Sequence, residues 1–260
     1  MSLDSVGQDI TRLLYKDGML RTWYRDKPDG WTLQSKVWSP FYINLRRVGS
    51  TKNGRDILSR AALAMGSILR DQLPQVNKIV GMYMAGIPLA TAMTLESGIA
   101  SCYARNLEEI DTPEDFDVKI EGIRKRLKEH GEHDLIEGEL SDGDTIAVVD
   151  DLCTKFTSKL ITRKQIMREA KDRGIHVTYK DVIVLLDREQ GGVETAKKYG
   201  MNLFSVIPFR TKGVPWLKDL MNPKEFDVLT DYLNDDQKYQ DPSMRKSLKS
   251  IAKPSTREDK

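Results

Sequence analysis

Aromatic residues make up only 7% of this 260-residue chain, and it holds three histidines and two cysteines. Two cysteines, Cys102 and Cys153, do not make a disulfide framework, so the fold must rest on an ordinary core. Both stand in strand-like apolar surroundings, where a thiol serves as a small hydrophobe. No apolar run approaches the roughly 18 residues of a membrane span. Met1–Ile10 is polar and lacks the apolar centre of a secretory signal. Charge of one sign is missing too. The 41 basic and 39 acidic residues leave a formal charge of +2, with no bulk pull toward nucleic acid or a membrane. No internal repeat is visible. What remains fits a cytoplasmic enzyme, long enough for one domain with a sizeable core.

The apolar patterning alternates between two periods. An amphipathic helix is expected over 6–16 and an extended stretch over 31–46. A helix over 55–73 carries the stripe Ile57, Leu58, Ala61, Ala62, Met65, Ile68 and Leu69. Strands are expected at 78–82, 99–104, 145–149, 181–186 and 203–207, and helices at 86–95, 159–173 and 193–199. Gly174 and Gly200 mark two helix ends. Such alternation predicts an α/β fold, a central mainly parallel sheet flanked by helices. Residues 106–138 are highly charged and lack a long apolar stripe. From Asn234 the chain turns polar, so 1–233 is expected as one domain and 234–260 as a helix that frays into a flexible tail.

The stretch Asp144–Ser158, D-T-I-A-V-V-D-D-L-C-T-K-F-T-S, concentrates the chemistry. A short apolar run suits a buried parallel strand. Asp150 and Asp151 then fall at its C-terminal end, where open α/β sheets place ligands. Two carboxylates there can accept hydrogen bonds from a sugar diol or hold a hydrated metal. Thr154, Thr157 and Ser158 follow where a helix should start, the makings of a phosphate cradle.

These residues resemble the signature for PRPP (5-phosphoribosyl 1-diphosphate) of the type I phosphoribosyltransferases, roughly V-V-D-D-x-x-T-T-G-x-S. They match at Val148, Val149, Asp150, Asp151, Thr154, Thr157 and Ser158. Lys155 replaces a small residue. Phe156 replaces a glycine, and glycine permits a positive φ and close approach of phosphate. A Phe there is expected to bend the loop differently or to point its ring away.

Four further segments are similar to the orotate phosphoribosyltransferases, in the same order. In Trp31–Arg46, Leu33, Ser35, Ser39, Pro40, Tyr42, Leu45 and Arg46 match, while Gln34 and Lys36 depart. Gly86–Thr91, G-I-P-L-A-T, matches the turn and helix after the first core strand. R-K-R-L-K-E-H-G matches the mobile catalytic loop at Arg124, Lys125, Lys128, His130 and Gly131. The family's first loop arginine is matched by Arg105 or by Arg124; the tighter spacing favours Arg124. L-D-R-E-Q-G-G-V-E matches at Arg188.

The resemblance implies a type I phosphoribosyltransferase-like fold with an N-terminal hood (1–50) and a catalytic loop (106–138). It implies transfer of phosphoribosyl from PRPP to orotate, giving orotidine 5′-monophosphate and pyrophosphate, with Mg2+ as cofactor. Asp150 and Asp151 would hold the ribose hydroxyls. Thr154, Lys155, Thr157 and Ser158 would hold the 5′-phosphate. Arg188 would clamp the orotate carboxylate, a task suited to guanidinium, with Thr154 and Tyr42 also at the base. Arg124, Lys125, Lys128 and His130 would close on the departing pyrophosphate. No side chain is assigned as a metal ligand. A homodimer whose loop serves the neighbour's site is implied. The departures keep two alternatives open: a non-catalytic PRPP- or nucleotide-binding regulatory or scaffolding protein, and a transferase for another base.

Overall fold

The computed structural model describes residues 2–33, 36–129 and 134–253, apart from the side chain of Lys128. Gln34, Ser35, His130, Gly131 and residues 254–260 lie outside the described residues. Backbone contacts divide the chain into two compact units, Met1–Ile57 with Ile207–Lys260, and Leu58–Val206.

The first unit opens with α1 (Leu3–Lys16), which turns Ile10 and Leu14 inward. Strand β1 (Leu20–Thr22) pairs antiparallel with β4 (Phe41–Ile43), and β2 (Trp31–Thr32) pairs with β3 (Trp38–Ser39). The expected long extended stretch is therefore broken into short pieces. The first segment of this unit ends within the first turn of α2 (Gly54–Gln72).

The second unit is built on a six-stranded sheet. Its strands are β5 (Lys78–Gly81), β6 (Ser101–Ala104), β7 (Ile136–Glu137), β8 (Thr145–Cys153), β9 (Thr178–Asp187) and β10 (Asn202–Pro208), in the spatial order β10-β9-β8-β5-β6-β7. β5 lies parallel to both β6 and β8, β8 lies parallel to β9, and only β7 is shown antiparallel to its neighbour. α3 (Gly86–Ser97) links β5 to β6, α5 (Thr157–Arg173) links β8 to β9, and α6 (Gly192–Lys198) links β9 to β10. The chain runs outward from β5 to β6, then returns to build β8, β9 and β10 on the other side. The order therefore reverses between β5 and β8. That is the switch point at which α/β sheets open a crevice.

The loop that the resemblance implies over 106–138 is corrected here, and the helix expected early in the tail is present. Pro113–Glu129 forms a helix, α4. Its apolar stripe is Phe116, Ile120 and Ile123, spaced to share one face, and all three are buried with Leu107, Ile110 and Leu135. The stripe is short and spread among charges, which hid it. Residues 237–251 are likewise structured, as a 3-10 turn and a helix, α8 (Pro242–Ile251), following α7 (Pro223–Asn234). Within the first unit the Tyr239 ring stacks on Trp38 at 6.4 Å, the Trp38 N–H donates to Gln240 Oε1, and Leu248 is buried.

If α4 is a packed helix, Ile120→Ala lowers the unfolding free energy by about 2–4 kcal/mol in urea denaturation. In a solvated loop the same change would leave it unaltered.

Candidate functional site

β8 was expected to end at Val149, yet it continues through Asp150 and Asp151 to Cys153. β9 is long enough to keep pairing with it, Asp150 opposite Val184, Leu152 opposite Leu186 and Cys153 opposite Asp187. On its other side β8 loses its neighbour, since the register with β5 stops at Gly81 opposite Val149. Asp150 is thus the first β8 residue past the end of β5, at the mouth of the crevice. α3 begins against this point. A Cβ on Gly86 would stand 2.4 Å from the Val149 carbonyl oxygen and 3.2 Å from Asp150 Cα, so glycine is required there by the strand behind it.

The loop after β8 turns at Phe156, whose φ is +71° and ψ −3°. The left-handed conformation that glycine would adopt is thus kept by a Phe, against the expectation of a differently bent loop. Left-handed backbone costs a non-glycine residue about 1–2 kcal/mol. Burying a Phe side chain returns about 1.5–3 kcal/mol. Here the side chain is 2% exposed, in a core cluster with Val148, Leu160, Val184, Ala196 and Met201, so the ring does point away from the loop. α5 starts at the next residue. Thr157 and Ser158 are exposed on its first turn, Lys155 is exposed before it, and Thr154 is half-buried. A helix N-terminus flanked by hydroxyls favours a phosphate.

Arg188 follows the end of β9 and is buried, 7% exposed. Its backbone N–H donates to the Cys153 carbonyl at 2.9 Å, which ties it to the start of the loop. α6 closes the same corner. A Cβ on Gly192 would stand 2.8 Å from Cys153 Sγ and 3.3 Å from the Thr154 carbonyl oxygen. Asp150, Asp151, Thr154–Ser158 and Arg188 are therefore adjacent, on the ends of β8 and β9. Tyr42 belongs to the first unit, where it stacks on Trp31 at 6.0 Å and accepts a hydrogen bond from Arg46.

The segment resembling the catalytic loop is held elsewhere. α4 runs parallel to α5, as three ion pairs in step along both helices establish. Asp117 meets Lys164 at 2.5 Å, Glu121 meets Arg168, and Arg124 meets Asp172 at 2.7 Å. Asp172 lies fifteen residues beyond Thr157, about 22 Å along α5 at 1.5 Å per residue. Arg124 and the exposed Lys125 are thus carried away from their own loop. Lys128 follows in α4, but its side chain is outside the described residues, as is His130. Arg105, the other arginine matched to the family's first, bonds to Glu137 and to the Asp134 carbonyl at the β6–β7 edge. A cavity of about 580 Å³ opens between α4 and α5, lined by Phe116, Ile120, Leu160 and Met167 among others, on this outer face and not at the loop.

One residue escaped the sequence reading. Lys159, taken there only as a helix start, is buried and bonds to Asp150 Oδ2 at 2.6 Å and to the Leu152 carbonyl at 2.5 Å. Burial is the largest single influence and would lower its ammonium pKa, but Asp150, Cys153 and Asp151 together outweigh it and the net shift is upward. Asp151 keeps part of its surface open, yet its carboxyl is crowded by protein. Burial, and then the neighbouring Asp150 charge, push it up to about 7. Burial also raises Asp187 at the end of β9, and raises the Cys153 thiol to about 11. No group of three or more His, Cys, Asp or Glu placed to hold a metal occurs among the described residues.

The Asp151 shift carries a sign. An unfolded aspartate releases its proton near about pH 4. Between there and about 7 the folded protein keeps a proton that the unfolded chain has lost. Stability then falls as pH rises through that window. Asp151→Asn should gain melting temperature relative to the unmodified protein between pH 5 and pH 8. A constant difference across that range contradicts the assignment.

Comparison with known proteins agrees with this geometry. No protein-family model matches the chain. It is 27% identical to the orotate phosphoribosyltransferase of Pyrococcus furiosus over 175 residues, 67% of this chain and 81% of that protein. It is 28% identical to the orotate phosphoribosyltransferase of Methanothermobacter thermautotrophicus, again over 175 residues and 79% of that protein. Among solved structures, Leishmania donovani UMP synthase superposes with a TM-score of 0.66 at 20% identity, covering 87% of this chain and 42% of that one. The orotate phosphoribosyltransferase of Aeropyrum pernix superposes at 0.57 and 21% identity, covering 81% and 97%. With the sheet order and the β8–α5 loop, these likenesses make the chain an orotate-phosphoribosyltransferase-like protein of the type I phosphoribosyltransferase fold.

Proposed function

We propose that this chain transfers the phosphoribosyl group of PRPP to orotate, giving orotidine 5′-monophosphate and pyrophosphate. The observation that carries the reading is the turn between β8 and α5. It keeps φ at +71° despite Phe156 and presents a helix N-terminus beside a carboxylate pair at the sheet's switch point. In this reading Thr157, Ser158 and the α5 N-terminus receive the 5′-phosphate, with Lys155 as an added cation and Thr154 nearer the base. The ribose hydroxyls are met at the carboxylate pair. Arg188, on the neighbouring strand end, meets the orotate carboxylate. Tyr42 is proposed at the base by the resemblance of its segment.

Bond formation between the base nitrogen and C1′ is matched by loss of the C1′–O bond to pyrophosphate. The developing charge on the leaving group needs cations, and closure must exclude water. Arg124, Lys125, Lys128 and His130 are proposed for that task. α4 holds Arg124 on Asp172, far along α5 from its own loop. That distance supports a homodimer in which each copy's cations serve the other's site. Mg2+ is proposed on the pyrophosphate oxygens, where it needs few protein ligands. It would supply charge neutralisation there, and the fit is chemical, since the Asp150 oxygens are already engaged by Lys159 and by the Asp151 N–H. The cytoplasm is the proposed compartment, since the chain's balanced charge gives no bulk pull toward a membrane surface. No helix of the described residues is long and apolar enough to cross a membrane.

A second reading, a non-catalytic PRPP-binding protein, is favoured by one observation: Arg124 is committed to ion pairs with Asp172 and Glu121. Incubation with orotate, PRPP and Mg2+, followed by loss of orotate absorbance, separates the two. Turnover supports the transferase; PRPP binding by calorimetry without turnover at high protein concentration selects the second reading. In an active protein Arg188→Ala should raise KM for orotate about tenfold or more, the scale of a lost charged hydrogen bond, and KM for PRPP far less. Mixing inactive Asp151→Asn with inactive Lys128→Ala should restore activity if loops are shared between copies, and should not if each copy works alone.

A further inference from the structure

Lys159 is 3% exposed, and a buried ammonium persists only when its charge and donors are matched. An ammonium has three donors, and Lys159 Nζ has three acceptors: Asp150 Oδ2 at 2.6 Å, the Leu152 carbonyl at 2.5 Å and Ser158 Oγ at 3.4 Å. The first two lie on β8 and the third on the first turn of α5, so one side chain ties the strand end to the helix start. Asp150 is held from its other side as well, because Oδ1 accepts the Asp151 backbone N–H at 2.9 Å. Both oxygens of Asp150 are thus engaged within the protein, and the residue is 7% exposed. Asp151 lies beside it, close enough for its carboxyl to feel the Asp150 charge, yet retains more exposure. The two carboxylates are not equivalent.

We infer that Lys159 is a positioning residue of the sugar-phosphate site, which turns Asp150 inward as a structural anion and leaves Asp151 as the carboxylate that meets the ribose hydroxyls. The inference rests on the proposed function for its ligand. The charged and titratable groups around the pair are Lys159 from α5, Cys153 from β8 and Asp187 from β9, with the neutral Ser158 hydroxyl beside the ammonium. Lys159 is the cation among them. Removing it leaves Asp150 uncompensated beside Asp151, and a carboxylate next to a like charge holds its proton more tightly.

Ribose 5-phosphate and inorganic phosphate are the two probes, since both can use the loop and only the first has a diol. Measured by calorimetry, Lys159→Met should weaken ribose 5-phosphate about tenfold or more and change phosphate by about twofold at most, with Lys159→Arg recovering part of the loss. The rise of ribose 5-phosphate affinity with pH should also move to higher pH in Lys159→Met. Equal losses for the two probes would mean a disrupted loop, and an unchanged pH profile would mean a purely structural lysine; either overturns the inference. Should Lys159→Met fail to fold, Asp151→Asn must cost ribose 5-phosphate more than Asp150→Asn does, and equal losses overturn it. If the unmodified protein binds neither PRPP nor ribose 5-phosphate, the proposed function fails by itself. The effect of Lys159 is then read on ligand-free protein, as the 13C titration midpoint of the Asp151 carboxyl. It should move upward in Lys159→Arg by less than in Lys159→Met, and no movement in either overturns the inference.

Discussion

The left-handed turn at Phe156 is the constraint on which the candidate site depends. β8 delivers two carboxylates to the crevice, and α5 must begin within a few residues for a phosphate to reach both. Only a reversal of backbone hand at residue 156 allows that, and glycine is the ordinary means. Here the cost of a Phe in that conformation is offset by its ring in the core among Val148, Leu160 and Val184. The turn is thereby anchored from beneath. A glycine turn is held by its backbone hydrogen bonds alone, whereas this one is also held by packing. The same reversal sets Thr157 and Ser158 outward and Lys159 inward, so the phosphate-facing hydroxyls and the buried ammonium follow from one dihedral angle.

α5 then does more than close the cradle. Its buried face includes Lys159, Thr162, Gln165 and Glu169 alongside Ile166 and Ala170, a polar stripe where a packed helix usually shows an apolar one. Lys159, Gln165 and Glu169 each have a partner on the sheet side. Gln165 donates to the Arg105 carbonyl, and Glu169 accepts from the Leu135 N–H and from Arg173. Its outer face carries the cations that align α4. The helix thus joins two functions, holding the carboxylate pair at one end and Arg124 near the other.

Much of this was legible in the sequence. The strands at Ile79–Val80 and Ile146–Val149 are uninterrupted β-branched or small apolar runs, and such runs admit few alternatives. The twin aspartates, the Thr/Ser loop and Arg188 were placed together because the order of motifs matched one family. What was not legible has common causes. β8 continued past Val149 because the partner strand, not the local sequence, decides where pairing stops. α4 was missed because Phe116, Ile120 and Ile123 are spread among charges that serve ion pairs to α5. Tyr239 and Leu248 anchor the C-terminal segment with too few apolar residues to stand out. Lys159 was hidden in a charged run, since nothing in a single sequence distinguishes a buried lysine from a solvated one.

The most direct test of the account is the PRPP affinity of Phe156→Gly beside that of the unmodified protein, measured by calorimetry with Mg2+ present. If the turn already has the hand that phosphate binding requires, removing the ring lowers stability and leaves affinity within about threefold, less than about 1 kcal/mol. A gain of about tenfold or more would mean that Phe156 obstructs the cradle, and would contradict the claim that packing preserves it.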